Sequence, residues 1–107
     1  MANGVLGTAD LAAATNTNVY QNTLSDMAMV TVNFCSRHNI PGLVRIAVST
    51  LGAAGLVNSE YIEYDTEIPG HGVLERSGIA VSSGQYITVR SSIASMSAQV
   101  WGVETGS

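Results

Sequence analysis

Residues 28–37, AMVTVNFCSR, alternate between apolar and mostly polar side chains, and this alternation constrains the fold more than any other feature of the chain. Successive side chains of a β-strand point to opposite faces, so a two-residue period predicts a strand with one buried face. The predicted inward residues are Ala28, Val30, Val32 and Phe34, and the predicted outward residues are Met29, Thr31, Asn33, Cys35 and Arg37.

The same period recurs in short runs that are separated by turn residues such as Pro-Gly and Ser-Ser-Gly. In the final run Met96, Ala98 and Val100 are predicted to point inward, which turns Trp101 outward. The spacing predicts about seven or eight short strands in one antiparallel β-sandwich with a jelly-roll-like arrangement, an all-β fold. The runs cover residues 17–21, 28–37, 43–49, 61–66, 73–81, 85–91 and 96–103.

The first 16 residues contain small side chains with no clear period. A segment of this kind is ordered only where something ties it down, for example a neighbouring subunit. The sequence therefore predicts an N-terminal arm over residues 1–16 and a single sandwich domain over residues 17–107. The start of the chain lacks a cationic segment and a long apolar run. We therefore expect no signal peptide, no membrane span and no membrane partner.

Charged residues are scarce, at 11% of the chain against about 25% in a typical soluble domain. The net charge is −4 and there is no lysine, so nucleic acid is not an expected partner. Charge is depleted in the centres of protein interfaces, where arginine and aromatic residues are enriched. The composition therefore predicts a surface that is largely covered by protein partners.

The segment EYIEYDTEIPGHGVLERSG at residues 60–78 holds five of the eight acidic residues. Its alternation predicts Glu63, Asp65 and Glu67 on one face of a strand, within a hairpin-like unit that turns at Pro-Gly-His-Gly. Carboxylates in this pattern could bind Ca²⁺, but an extended strand does not wrap an ion as a calcium loop does. We expect a wet face that pairs with Arg45 or Arg90, or with an arginine of the next subunit.

Other routes to chemistry are weak in this sequence. A pair of acidic residues could serve a glycosidase, but any acidic strand offers such a pair. Cys35 could act with His38 or His71, although a cysteine in the middle of a strand is more often a packing residue. No catalytic motif occurs, and the lone cysteine excludes an internal disulfide and a multi-cysteine zinc site. The prediction is a non-enzymatic protein without metal or cofactor.

Several phrases of the sequence resemble the small structural proteins of tailed bacteriophages, including cyanophages. They are MANGVLGTADLAAATNTNVY, MVTVNFCSRH, YIEYDTEIPGHGVLERSGI, GQYITVRSS and SAQVWGVE, which together cover almost the whole chain. The resemblance implies a compact β domain that assembles on the virion. Proteins of this kind decorate or cement the capsid, or belong to fibres, necks or tail tips, and the resemblance brings no catalytic residues with it.

These observations lead to the prediction of a capsid decoration (cement) protein, a trimer that binds the major capsid protein where capsomers meet on the virion surface. The contact residues are predicted in the arm and on an outward face that carries Trp101 near Tyr86. The alternative is a fibre or tail-tip module that recognises the host surface through the loop at 50–59 and the turns at 38–42 and 69–72. The predicted contacts are Val5, Leu6, Leu11, Arg45, Tyr86, Arg90 and Trp101.

Overall fold

The computed structural model describes residues 3–23 and 25–105, which form eight strands and two short 3₁₀ turns. The 3₁₀ turns, Ala53–Gly55 and Asn58–Glu60, both lie in the connection between the fourth and fifth strands. The strands are β1 (Asn3–Leu11), β2 (Thr17–Gln21), β3 (Met27–Ser36), β4 (Gly42–Ser49), β5 (Tyr61–Ile68), β6 (Val73–Ser82), β7 (Tyr86–Ser91) and β8 (Met96–Thr105).

The strands form two antiparallel sheets of four, which confirms the predicted all-β sandwich. Sheet A has the order β1-β8-β3-β6 and sheet B has the order β2-β7-β4-β5. The first strand therefore pairs with the last, the second with the seventh, the third with the sixth, and the fourth with the fifth. This is the order of a jelly roll, in which a ribbon of four antiparallel pairs is wound into two facing sheets.

The core lies between the sheets and is built from the inward faces of the alternating runs. The alternation in β3 is confirmed, because Phe34 and its inward neighbours are buried while Met29 and Cys35 are exposed. In β8 the same holds for Met96, Ala98 and Val100. The largest fully buried side chains are Phe34, Leu11, Ile46, Ile68, Ile87, Met96, Val30, Val32, Val44, Val81, Val89 and Val100.

The predicted N-terminal arm needs a correction, because residues 3–11 form β1 and pair with β8 at the edge of sheet A. The register shifts between Val5 and Gly7, so Leu6 is an extra residue that forms a β-bulge. A bulge interrupts the two-residue period, which explains why the sequence shows no alternation here. Leu11 lies in the core at 2% exposure. Residues 1 and 2 of the predicted arm lie outside the described residues.

The acidic segment at residues 60–78 does not have the predicted hairpin-like structure, and its carboxylates do not all share one face. Its two strands do not form a hairpin, because β5 belongs to sheet B and β6 to sheet A. The connection at residues 69–72 crosses from one sheet to the other, closed by a 2.8 Å hydrogen bond from the Gly72 amide to the Pro69 carbonyl. Glu63 and Glu67 do not share a face, since Glu63 is opposite the buried Ile46 and Glu67 is opposite the exposed Leu43.

Candidate functional site

The outer face of sheet A carries an exposed apolar patch at one end. Trp101 on β8 is the Cα partner of Val5 on β1, and Val103 is the partner of Met29 on β3. Val5 is 61% exposed and Val103 is 46% exposed, while Trp101 between them is half-buried. Contiguous apolar surface of this kind marks interaction sites more often than isolated apolar residues do. We call this surface the apolar face; it consists of Val5, Met27, Met29, Trp101 and Val103.

The other end of the same face is polar and slightly concave. An open depression of about 480 Å³ lies across β1, β8 and β3 and is lined mainly by small polar side chains. Asp10, on its rim, forms an ion pair with Arg37. Cys35 is a free, exposed thiol in this depression. The lining residues are Thr8, Ala9, Asp10, Asn33, Cys35, Ser97, Ala98 and Gln99.

The outer face of sheet B carries a compact group of aromatic and charged side chains, which we call the arginine–tyrosine cluster: Arg45, Tyr61, Tyr64, Asp65 and Arg90. The Arg45 guanidinium carbon lies 4.0 Å from the centre of the Tyr64 ring, within cation–π distance. Tyr64 meets Tyr61 edge to face, with ring centres 5.0 Å apart. Arg45 also donates two hydrogen bonds to the Asp65 carboxylate, at 2.7 and 3.2 Å.

A β-bulge in β5 brings this cluster together. Val44 pairs with Thr66 and Ile46 pairs with Glu63, so Tyr64 and Asp65 both lie opposite Arg45 alone. Asp65 has a φ of 53°, in the left-handed region that aspartate tolerates better than most residues. In a regular strand, Tyr64 and Asp65 would point to opposite faces. The bulge instead lets Arg45 contact both side chains.

The charges in the cluster reinforce each other. The hydrogen bonds from Arg45 lower the pKa of Asp65 below its ordinary value, and the nearby positive charge of Arg90 lowers it further. The same hydrogen bonds to Asp65 raise the pKa of Arg45. Asp65 and Arg45 are therefore both ionised at neutral pH, and this part of the surface keeps a fixed pattern of charge.

The connection at residues 50–60 folds over the neighbouring part of sheet B. Asn18 accepts hydrogen bonds from the Ala53 amide, at 3.0 Å, and from the Thr88 hydroxyl, at 2.8 Å. Thr88 points outward from sheet B, but this cover leaves it only 2% exposed. Gly52 is suited to the approach, because a Cβ there would lie 3.1 Å from the Asn18 amide nitrogen.

The Glu60 carboxylate fixes the conformation of the connection at residues 50–60. Protonation of this carboxylate at low pH should therefore have a measurable effect. The carboxylate accepts hydrogen bonds from the Thr50 amide at 3.0 Å and the Val57 amide at 3.2 Å, which lower its pKa. Since the folded pKa is below that of the unfolded chain, this stabilisation is complete above the unfolded value of about 4.3 and is lost as the pH falls through the folded value. We expect the Thr50 and Val57 amide resonances to titrate together below pH of about 4.3. Titration at or above that pH, or unchanged resonances in Glu60→Gln, would contradict this role.

The structure separates the predicted contact residues into three groups. Val5 and Trp101 lie together on the apolar face, and Leu6 is half-buried beside the core. Leu11 is wrong as a contact residue because it is buried in the core. The remaining predicted residues, Arg45, Tyr86 and Arg90, lie on the outer face of sheet B.

The predicted proximity of Trp101 to Tyr86 is wrong, because their strands belong to different sheets. The turn at residues 92–95 carries the chain from β7 in sheet B to β8 in sheet A, as a jelly roll requires. Tyr61, Tyr64 and Met29 also belong to these surfaces but are not among the predicted contact residues. The alternation of β3 correctly predicts that Met29 points outward, whereas the position of Tyr64 depends on the bulge.

Two carboxylates of the acidic segment form ion pairs within the same chain. Asp65 pairs with Arg45, one of the two predicted arginines, and Glu63 pairs with Arg76 on β6 of the facing sheet. Thr66 donates a 2.7 Å hydrogen bond to the other side of the Glu63 carboxylate. In the described residues, no group of three or more His, Cys, Asp or Glu side chains could hold a metal ion.

Comparison with known proteins adds no relative. Neither a protein-family model, nor a curated protein, nor a solved structure matches the chain. Within residues 3–23 and 25–105, no helix is long and apolar enough to cross a membrane. The function therefore has to be argued from the apolar face and the arginine–tyrosine cluster themselves.

Proposed function

We propose that the chain is a non-enzymatic virion structural protein that decorates a bacteriophage capsid and stabilises its lattice. One observation carries the proposal, the exposed apolar face on the outside of sheet A. An outward tryptophan beside exposed Val5, with exposed Met29 and Val103 paired next to it, has the composition of an interface hot spot. The low charge of the chain, 11%, also fits a surface that is covered in the assembled particle.

The proposed partners are the major capsid protein and further copies of this chain, arranged as a trimer where capsomers meet. The molecule measures 42 by 27 Å along its two longer axes. A face of these dimensions can supply the roughly 800 Å² per partner of a standard stable interface. Repetition of that contact over the lattice would stiffen the shell through many copies, without chemistry in any of them.

The experiment is binding to purified capsids that lack this protein, followed by heating of the particles. We expect Trp101→Ala to weaken capsid binding about thirtyfold or more and to remove the gain in heat resistance, because hot-spot truncation costs about 2 kcal/mol or more. Leu51→Ser is the matched control, since Leu51 is 72% exposed on the connection over sheet B. Surface substitutions are preferable to an N-terminal deletion, which would remove β1 from sheet A.

The proposal fails if Trp101→Ala binds capsids like the unaltered protein or if Leu51→Ser weakens binding as much. Copy number gives a second test on purified virions. A decoration protein should be present in copies on the order of hundreds, whereas a fibre or tail-tip protein should be present in about a dozen or fewer.

A second candidate function is recognition of the host surface by a fibre or tail-tip module. The arginine–tyrosine cluster favours it, because exposed tyrosines beside fixed charges offer both a flat apolar platform and directional hydrogen bonds. Tyr64 is 57% exposed and lies within β5, three residues after Tyr61, which directly follows the connection at residues 50–60.

A further inference from the structure

Arg45 and Arg90 are direct partners across the β4–β7 ladder, on the outer face of sheet B. Directly opposite residues in an antiparallel pair have Cβ atoms roughly 5 Å apart, and like charges in these positions destabilise a sheet. The chain has only four basic residues and a net charge of −4, so general surface composition does not account for two arginines at one point. Their juxtaposition calls for an anion between them.

Asp65 is the carboxylate nearest to the Arg45–Arg90 pair, and it accepts two hydrogen bonds from Arg45. Within residues 3–23 and 25–105, no carboxylate lies at ion-pair distance from the Arg90 guanidinium. Glu67 is on the same outer face but lies opposite Leu43, farther along β4. The two guanidinium groups and Asp65 together leave one positive charge unmatched at this point of the surface.

The Tyr64 and Tyr61 rings lie beside this unmatched positive charge, and the Tyr64 ring is suited to bind a sugar. Arg45 covers one side of the Tyr64 ring, and the edge-to-face contact with Tyr61 fixes the ring's orientation. Tyr64 nevertheless remains 57% exposed. A rigid, exposed aromatic surface binds apolar C–H surface at low cost in conformational entropy, and a pyranose ring presents such a surface.

We propose that the arginine–tyrosine cluster binds an acidic saccharide, with its carboxylate or sulfate between Arg45 and Arg90 and its sugar ring against Tyr64. Arg90 suits this role because a planar guanidinium binds carboxylate and sulfate-like oxygens through paired hydrogen bonds. Arg45 binds Asp65 through Nε and one terminal nitrogen, which leaves its other terminal nitrogen to face the ligand. A single unmatched charge on an acidic chain is too little for a nucleic-acid backbone, which requires many cationic contacts. The inference deepens the second candidate function and does not depend on capsid decoration.

The test is calorimetric titration of the purified full chain at constant ionic strength. The probes are an oligogalacturonate, a sulfated galactan oligosaccharide, a neutral galactan oligosaccharide of equal length, and inorganic sulfate. We expect at least one acidic oligosaccharide to bind about tenfold or more tightly than both the neutral one and inorganic sulfate. Whether the carboxylated or the sulfated probe binds distinguishes the two sources of negative charge. The proposal is overturned if neither acidic oligosaccharide binds more tightly than the neutral oligosaccharide, or if neither binds more tightly than inorganic sulfate.

Three variants assign the effect to the cluster. Arg90→Gln and Tyr64→Ala should each weaken binding of the acidic probe about tenfold or more. Arg37→Gln is the matched control, because Arg37 lies on the other side of the molecule with Asp10, and it should leave binding unchanged. Equal losses in Arg37→Gln and Arg90→Gln would mean that the binding is non-specific.

The melting temperature separates ligand binding from a structural role of Arg90. Removal of one of two opposed positive charges should leave the melting temperature of Arg90→Gln unchanged or higher, although its saccharide binding falls. A lower melting temperature would indicate that Arg90 mainly stabilises the sheet and would overturn the assignment. Trp101→Ala should still bind the saccharide and Arg90→Gln should still bind capsids, so failure of this inference and failure of capsid decoration can be told apart.

Discussion

Asn22→Ala is expected to lower the free energy of unfolding by about 4 kcal/mol. Asn22 is fully buried after β2, where its side-chain amide donates a 2.9 Å hydrogen bond to the Val81 carbonyl of β6. Its side-chain oxygen accepts hydrogen bonds from the Ser25 amide and hydroxyl. Alanine would remove these hydrogen bonds from the Val81 carbonyl and the Ser25 amide, while the Ser25 hydroxyl keeps a 3.3 Å hydrogen bond to the Met27 carbonyl. Each unsatisfied buried group costs about 1–3 kcal/mol.

Denaturation in urea, followed by tryptophan fluorescence, measures this effect. Ser25→Ala removes only one donor to Asn22 and should cost about 1 kcal/mol. Asn39→Ala, at an exposed side chain in a turn, should change stability by less than about 0.5 kcal/mol. Equal losses for Asn22→Ala and Asn39→Ala would show that the buried network does not hold the two sheets together.

Gly7→Ala should lower the free energy of unfolding by about 3 kcal/mol, although it adds a single methyl group. A Cβ at residue 7 would lie 2.1 Å from the Val19 carbonyl oxygen and 3.1 Å from the carbonyl carbon. Val19 is the extra residue of a bulge in β2, so its backbone approaches β1 from the facing sheet. No rotamer can move a Cβ away from this contact, and β1 must shift or separate from β8.

Hydrogen exchange locates this second effect. In Gly7→Ala the amides of β1 should exchange faster than those of β3, because the strain falls on an edge strand. Thr8→Ala is the matched control, since Thr8 is exposed on the outer side of β1 and should leave exchange and stability nearly unchanged. A Gly7→Ala protein as stable as the unaltered chain would mean that the two strands do not pack this closely.

The sequence was sufficient for the parts of the fold in which one strict period governs a strand. In β3 each inward residue, from Ala28 to Phe34, has an uninterrupted partner in β8, so pattern and structure agree. In β1 the bulge at Leu6 breaks the period, and the strand could not be predicted. A residue count cannot show where an extra residue enters a strand, because that depends on the register with its partner.

The functional surfaces divide in the same way. The outward direction of Trp101 and Arg45 follows from alternation within their own strands, and the structure agrees. The contact of Arg45 with Tyr64 depends on a bulge in β5, and the separation of Trp101 from Tyr86 depends on which sheet each strand joins. Local patterns determine direction within a strand, whereas long-range pairing determines which side chains meet.

The placement of β7 and β8 in different sheets gives the molecule two chemically distinct sides. A copy seated on a shell by the apolar face of sheet A would hold the arginine–tyrosine cluster away from the shell, toward the medium. Each copy would then bind the shell through sheet A and expose a saccharide-binding surface on sheet B. Hundreds of displayed clusters, on the order expected for decoration, could act together through avidity, so that even a millimolar saccharide contact would retain a particle at a coated cell surface.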